Sequence, residues 1–208
     1  MAKTKYIVLR KTPYQETSLI VSGLSPEYGR LDFLLKGARS VSRRKFPVME
    51  LFREFSIEFK ESSGRSGLFS MQNHEPIARH DDIVKNTDNY LAACKYAGFL
   101  LKHSQPMLEA PAAYHSFCVM LNRMEETNRT EPWRTFALLV FLDEGGFLPE
   151  HHSEEDEGGN EDDNGGLLNR IISCASGEAG AENPEISESY SRKLTEWAES
   201  LCLYHSLL

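Results

Sequence analysis

The chain has 208 residues, 40% of them hydrophobic and 26% charged. That balance excludes a disordered, collagen-like or disulfide-stapled chain and leaves room for one large domain or two small ones. The net charge of −8 argues at first sight against a nucleic-acid partner, but residues 1–80 carry a net +6 and residues 81–208 a net −14.

The first third reads as strands. Tyr6 to Arg10 is a β-rich run, and Thr17 to Leu24 is a second, ended by the turn Ser25-Pro26-Glu27-Tyr28-Gly29. From Arg30 to Lys36, Leu31, Phe33 and Leu35 alternate with Asp32, Leu34 and Lys36. Phe55, Ile57 and Phe59 alternate with Glu54, Ser56, Glu58 and Lys60. A turn at Ser62–Gly67 then leads to a return strand, Leu68 to Gln72. Five short strands without a long helical pattern predict a small closed or nearly closed barrel.

The remainder reads as helices. Asp88 to His103 carries Leu91, Cys94, Ala97 and Leu101 on one stripe. A second helix starts near Pro111 with Tyr114, Phe117, Leu121 and Met124 inward. Pro132 opens a third, which Gly145-Gly146 stops. Leu167 to Cys174 predicts a short packed helix. The last follows Ser187 as N-cap, with Leu194, Trp197, Leu201, Tyr204 and Leu208 on one face. Between the third and fourth, Glu150 to Asp163 holds eight acids and almost nothing to bury, which predicts a mobile acidic surface loop at about 150–165. Together these elements predict an α+β, multi-domain chain. A barrel over residues 1–80 precedes an all-α helical domain over 81–208.

Chemical motifs are sparse. Cys94, Cys118, Cys174 and Cys202 form no close-spaced pair, so scattered reduced thiols are expected rather than a zinc site or disulfide. Asn160-x-Asp162-x-Asn164-Gly165 imitates the opening of a calcium loop, but Ile171 stands where a bidentate Glu is needed. There is no nucleophile elbow, zinc-protease motif, phosphate-binding glycine loop or dinucleotide fingerprint. A non-enzyme with neither metal nor cofactor is therefore expected. The opening Met1–Tyr6 shows no signal-peptide pattern, and no apolar run is long enough to cross a bilayer. A cytoplasmic location is the expectation.

The basic run from Lys36 to Lys45 is the strongest local signal. It places Lys36, Arg39, Arg43, Arg44 and Lys45 in ten residues without an acid. Arg10, Lys11 and Arg30 come from neighbouring strands. Such cations displace counterions from a phosphate backbone and give affinity without sequence reading. Barrels of the OB type bind single strands in this way. Tyr14 and Tyr28, beside predicted turns, are expected either to stack on bases or to pack in the barrel.

Tyr6-Ile7-Val8-Leu9-Arg10, Tyr14-Gln15-Glu16-Thr17-Ser18-Leu19, Glu27-Tyr28-Gly29-Arg30-Leu31 and Lys36-Gly37-Ala38-Arg39 resemble, in order, the N-terminal domain of the RecO recombination-mediator family. Glu131-Pro132-Trp133-Arg134-Thr135-Phe136-Ala137-Leu138-Leu139 and Gly146-Phe147-Leu148-Pro149 resemble that family's central helix and following turn. The resemblance implies an N-terminal OB fold and a helical domain. It implies a DNA repair protein that binds single- and double-stranded DNA and anneals complementary strands. It further implies a RecR-like mediator as partner, help in loading a recombinase on DNA coated by single-strand-binding protein (SSB), and association with the nucleoid. In such proteins the helical domain can hold the acidic SSB tail, for which Arg123 and Arg134, near Phe136, Leu138 and Leu139, are the expected contacts. The chain departs from the family after Pro149, where many members carry two C-x-x-C zinc pairs and this one carries the acidic segment. The competing reading is a protein-interaction adaptor without DNA binding. It predicts barrel cations paired with Glu50, Glu54 and Glu58 instead of a continuous positive stripe.

Overall fold

The computed structural model describes residues 1–39, 49–60, 67–149, 164–181 and 183–207. Five antiparallel strands come first: β1 (Ala2–Tyr14), β2 (Ser18–Ser25), β3 (Gly29–Leu35), β4 (Arg53–Phe59) and β5 (Met71–Arg79), in sheet order β3-β2-β1-β4-β5. The open edge of β3 meets the segment that leads into β5. Phe69 donates its N–H to Asp32 at 2.8 Å and accepts from the Leu34 N–H at 3.1 Å, a parallel bridge that draws the sheet round into an OB-type barrel. A register shift at Leu9 divides β1, which pairs with β4 over Ala2–Ile7 and with β2 from Ile7 to Tyr14.

Inward positions alternate as the sequence predicts in β3 and β4. The interior is an edge-to-face aromatic chain: Tyr6 on Phe33 at 5.2 Å, Phe33 on Phe59 at 5.6 Å, and Phe59 on Phe69 at 5.6 Å. The Tyr6 hydroxyl donates to the carbonyls of Val21 and Leu31 (3.1 and 3.3 Å), and full burial pushes its pKa well above the ordinary tyrosine value. Gly23 makes room for that ring. A Cβ there would lie 2.1 Å from the Ile7 carbonyl oxygen and 2.5 Å from the Tyr6 ring.

One expectation for the sheet shifts. The fifth strand starts at Met71, not Leu68, and runs to Arg79 through Pro76. Most of its residues are exposed, so no alternating pattern marks it in the sequence. Its Pro76 is also a residue that discourages a strand assignment.

A short 3-10 helix (Asp81–Lys85) leads into α1 (Thr87–His103), whose first N–H groups are capped by Asn86 (2.9 Å to Asp88, 3.2 Å to Asn89). α1 packs on β1 and β2 with Ala93, Tyr96, Ala97, Leu100 and Leu101 buried, while Leu91 is 51% exposed. The alanines let the helix approach the strands closely, and that turns the predicted stripe by part of a turn. The following segment returns to the β2–β3 turn, where Met107 donates to Tyr28 (2.9 Å) and Ala110 to Pro26 (3.0 Å).

The chain divides into two compact units, Met1–Tyr114 and His115–Leu208. The second holds most of α2 (Pro111–Thr127), then α3 (Trp133–Glu144), α4 (Asn164–Ala175) and α5 (Glu188–Tyr204). Phe117, Leu121 and Met124 are buried as predicted. α3 is buried nearly all round and packs on α4 and α5. Ser187 caps α5 by accepting the Tyr190 N–H at 3.2 Å. Tyr204, expected inward, is 83% exposed. The expected acidic loop lies outside the described residues over 150–163. No described helix is long and apolar enough to cross a membrane.

Candidate nucleic-acid interface

The eight cations expected to track DNA separate into three sets. Arg43, Arg44 and Lys45 lie outside the described residues. Lys11 and Arg30 are held by carboxylates. The Lys11 ammonium is ion-paired to Glu50. The Arg30 guanidinium lies 3.0 Å from Asp32 and donates to the Leu101 carbonyl at 3.0 Å. Arg10, Lys36 and Arg39 are exposed, with no carboxylate in ion-pair range among the described residues.

Strand register explains the division. Arg10 stands opposite Ser22 and Ser22 opposite Asp32, while Lys11 stands opposite Val21 and Val21 opposite Phe33. Opposed residues share a face and successive residues alternate. Lys11 therefore leaves the sheet on the face of the barrel core, and Arg10 on the outer face. Arg30 and Asp32, two apart on one strand, share that outer face and neutralise each other.

Arg39 is fixed at the tip of the β1–β2 hairpin. Its backbone N–H donates to the Thr17 carbonyl at 2.9 Å, and its guanidinium to the Gln15 carbonyl at 3.4 Å. The turn that carries it passes through Gly37 at φ +74°, a left-handed conformation that glycine adopts without strain. These contacts tie Arg39 to the turn that follows Tyr14, which is 39% exposed at the end of β1. Tyr28 lies at the other end of β2 and packs edge-on to Phe59 at 5.2 Å. It is half-buried against the core, and of these two rings Tyr14 is the exposed one.

A buried polar group was not anticipated from sequence. The Tyr114 hydroxyl donates to Glu54 at 2.8 Å, and His80 Nε2 lies 3.5 Å from the other Glu54 oxygen, all three residues nearly fully buried. Helical spacing marks Tyr114 only as an inward residue, and nothing local announces a carboxylate sixty positions earlier.

In the helical unit the expected arginines are engaged by neighbours. Arg123 stacks over the Trp133 ring at 5.4 Å and lies 3.1 Å from Glu126. Arg134 bridges Glu131 (2.7 Å) and Glu199 (3.2 Å). Burial works against its charge, but the two carboxylates outweigh burial and raise its pKa. A cleft of about 520 Å³ is lined by Arg129, Arg134 and Arg192, with Glu131, Glu188 and Glu196 among the other residues. Arg123 does not line it, and Phe136, Leu138 and Leu139 are core residues. The four cysteines carry free thiols, and burial raises the pKa of Cys174 and Cys202. Among the described residues no His, Cys, Asp and Glu cluster could hold a metal ion.

A five-stranded OB-type domain followed by helices, with exposed cations at one hairpin, defines the class of architecture. Residues 1–79 match the family model described as recombination protein O N terminal. The chain is 28% identical over 140 residues to the DNA repair protein RecO of Vibrio parahaemolyticus, covering 66% of this chain and 55% of that one. It is 31% identical over 131 residues to the DNA repair protein RecO of Idiomarina loihiensis, covering 61% and 53%. These matches give the chain a RecO-type N-terminal domain and a similarity to RecO proteins over about two thirds of its length. It spans about half the length of the curated relatives it matches.

Proposed function

We propose that this chain is a non-enzymatic DNA repair and recombination mediator. Its barrel, over residues 1–80, binds single- and double-stranded DNA without sequence preference and anneals complementary strands. The observation that supports this most is the set of exposed cations Arg10, Lys36 and Arg39 at one hairpin of a domain that matches the RecO N-terminal model. Arg43, Arg44 and Lys45 extend the same basic run. Annealing makes and breaks no covalent bond; it needs two phosphate backbones brought together with part of their charge neutralised. In this reading the protein acts in the cytoplasm at the nucleoid, with a RecR-like partner, and helps load a recombinase on SSB-coated strands.

An anisotropy titration against salt tests the DNA contact. Neutralising about four to six phosphates gives a log–log slope of roughly −3 to −4 on single strands. Affinity that ignores salt, or is unchanged in an Arg39/Arg43/Arg44→Ala triple variant, overturns the assignment. A strand-annealing assay with and without SSB, at two salt concentrations, tests the activity.

The helical domain, over residues 81–208, is proposed to hold the acidic SSB tail. The cleft lined by Arg129, Arg134 and Arg192 is the feature that favours a site there. Arg123 is proposed as a flanking contact. A labelled tail peptide that binds an Arg134→Ala variant as well as the parent removes this part of the reading.

One set of contacts favours the competing adaptor reading. Lys11 with Glu50, Lys3 with Glu58 at 3.9 Å, and Arg30 with Asp32 are pairs that take cations away from DNA. Absence of DNA binding together with retained partner capture decides for the adaptor.

A further inference from the structure

The outer face of the hairpin combines two chemistries. Arg10, Thr12 and Tyr14 alternate along β1 with Lys11 and Pro13, so their side chains leave on one side. On the same face, Thr12 is opposite Ile20, and Ile20 is opposite Leu34. Ile20 and Leu34 are half-buried, and beside them the Tyr14 ring is open to solvent. Arg10 lies at one end of this strip, and Lys36 and Arg39 at the other. Glu16 is an exposed acid in the hairpin turn, and Glu50 is taken up by Lys11. Asp32, also on this face, is neutralised by Arg30. The strip therefore keeps a positive surplus beside an apolar floor.

We infer that Tyr14 is a base-stacking residue that makes this surface prefer single strands to duplex; the inference rests on the DNA-binding reading above. Cations meet phosphates in either form, because both forms present a charged backbone. An aromatic ring meets a base only where the base is unstacked, and unstacking a duplex step costs a few kcal/mol. Ile20 and Leu34 supply the apolar surroundings that a second base edge can cover. The consequence for annealing is directional. Tyr14 contacts the separate strands and loses that contact when pairing restacks the bases, so the product is held less tightly than the substrate.

The test uses the full chain, a labelled oligo-dT strand and a blunt duplex of the same length, at one salt concentration. Tyr14→Ala weakens oligo-dT binding at least about fivefold, the low end of base–aromatic stacking. It leaves duplex affinity within about twofold, because no charge is removed. Tyr14→Phe keeps both affinities, since stacking needs the ring and not the hydroxyl. Arg10→Ala weakens both forms alike. An unchanged thermal midpoint for Tyr14→Ala shows that the loss is one of contact and not of folding. If the parent binds both forms and Tyr14→Ala changes neither, or changes both equally, the stacking role is overturned while DNA binding stands. If the parent binds neither form, the DNA-binding reading falls, and this inference with it.

Discussion

The candidate cations of the two units differ in how they are engaged, although each unit also has exposed arginines without a carboxylate in ion-pair range among the described residues, Arg170 and Arg192 in the helical one. In the helical unit, Arg123, Arg129 and Arg134 each face a carboxylate within 3.4 Å, and Arg134 faces two. In the barrel unit, Arg30 and Lys11 are held in the same way, but Arg10, Lys36 and Arg39 are exposed without such a partner among the described residues. Net charge therefore describes neither unit well. What matters for an anionic partner is the cation left over after internal pairing, and in the barrel three such cations, Arg10, Lys36 and Arg39, stand along one hairpin, with Lys5, Lys60 and Arg79 exposed elsewhere. The total of −8 hides this, because the acids sit mainly in the other half of the sequence.

The largest expected effect breaks the barrel side of the contrast. Gly23→Ala would put a methyl 2.1 Å from the Ile7 carbonyl oxygen and against the Tyr6 ring. Overfilling a packed core costs about 3 kcal/mol when backbone must move. A fall of that size in unfolding free energy, with loss of DNA affinity, is the expected result. Retained stability would mean that β1 and β2 can separate at this point without consequence.

Next is the buried Glu54. Tyr114→Phe keeps the ring and removes the hydroxyl that donates to Glu54 at 2.8 Å. A buried acceptor left without its donor costs about 2 kcal/mol. Chemical denaturation of the two proteins measures it, and a change below about 0.5 kcal/mol would show that His80 alone satisfies the carboxylate.

Much of this architecture is legible in the amino-acid order, and the exceptions share a cause. β3 and β4 carry alternation because each has one face on the barrel core, and α2 shows its inward Phe117, Leu121 and Met124 because one of its faces is buried. β5 hides because most of it is exposed and it contains Pro76. The inward face of α1 is half legible: Ala97 and Leu101 of the predicted stripe are buried, but Leu91 is exposed and Ala93, which periodicity weighs less, is buried instead. At the candidate site, the basic run and Tyr14 are visible in the sequence. Which cations are already taken is less so. The Glu50 that holds Lys11 is thirty-nine residues away, a tertiary fact. The Arg30–Asp32 pair did leave a local sign, opposite charges two apart on a strand, which lie on one face.

The smallest effects sharpen the comparison itself. Arg134→Ala strips a half-buried cation from Glu131 and Glu199, and Glu131 also accepts from the Thr135 hydroxyl at 2.9 Å. Stability should drop by about 1 kcal/mol, with discounting for the partial exposure of both carboxylates. The salt slope of DNA binding should not move, since this cation is already neutralised where it stands. Arg10→Ala should do the reverse. Its side chain is exposed without a partner among the described residues, so stability stays within about 0.5 kcal/mol. The slope on single strands should flatten by about 0.7, the loss of one phosphate contact. The two variants remove the same charge from the same protein, so any difference between them reports environment alone. Equal slope changes from both would mean that the ion pairs of the helical unit open when DNA binds, and that its arginines are as available as those of the barrel.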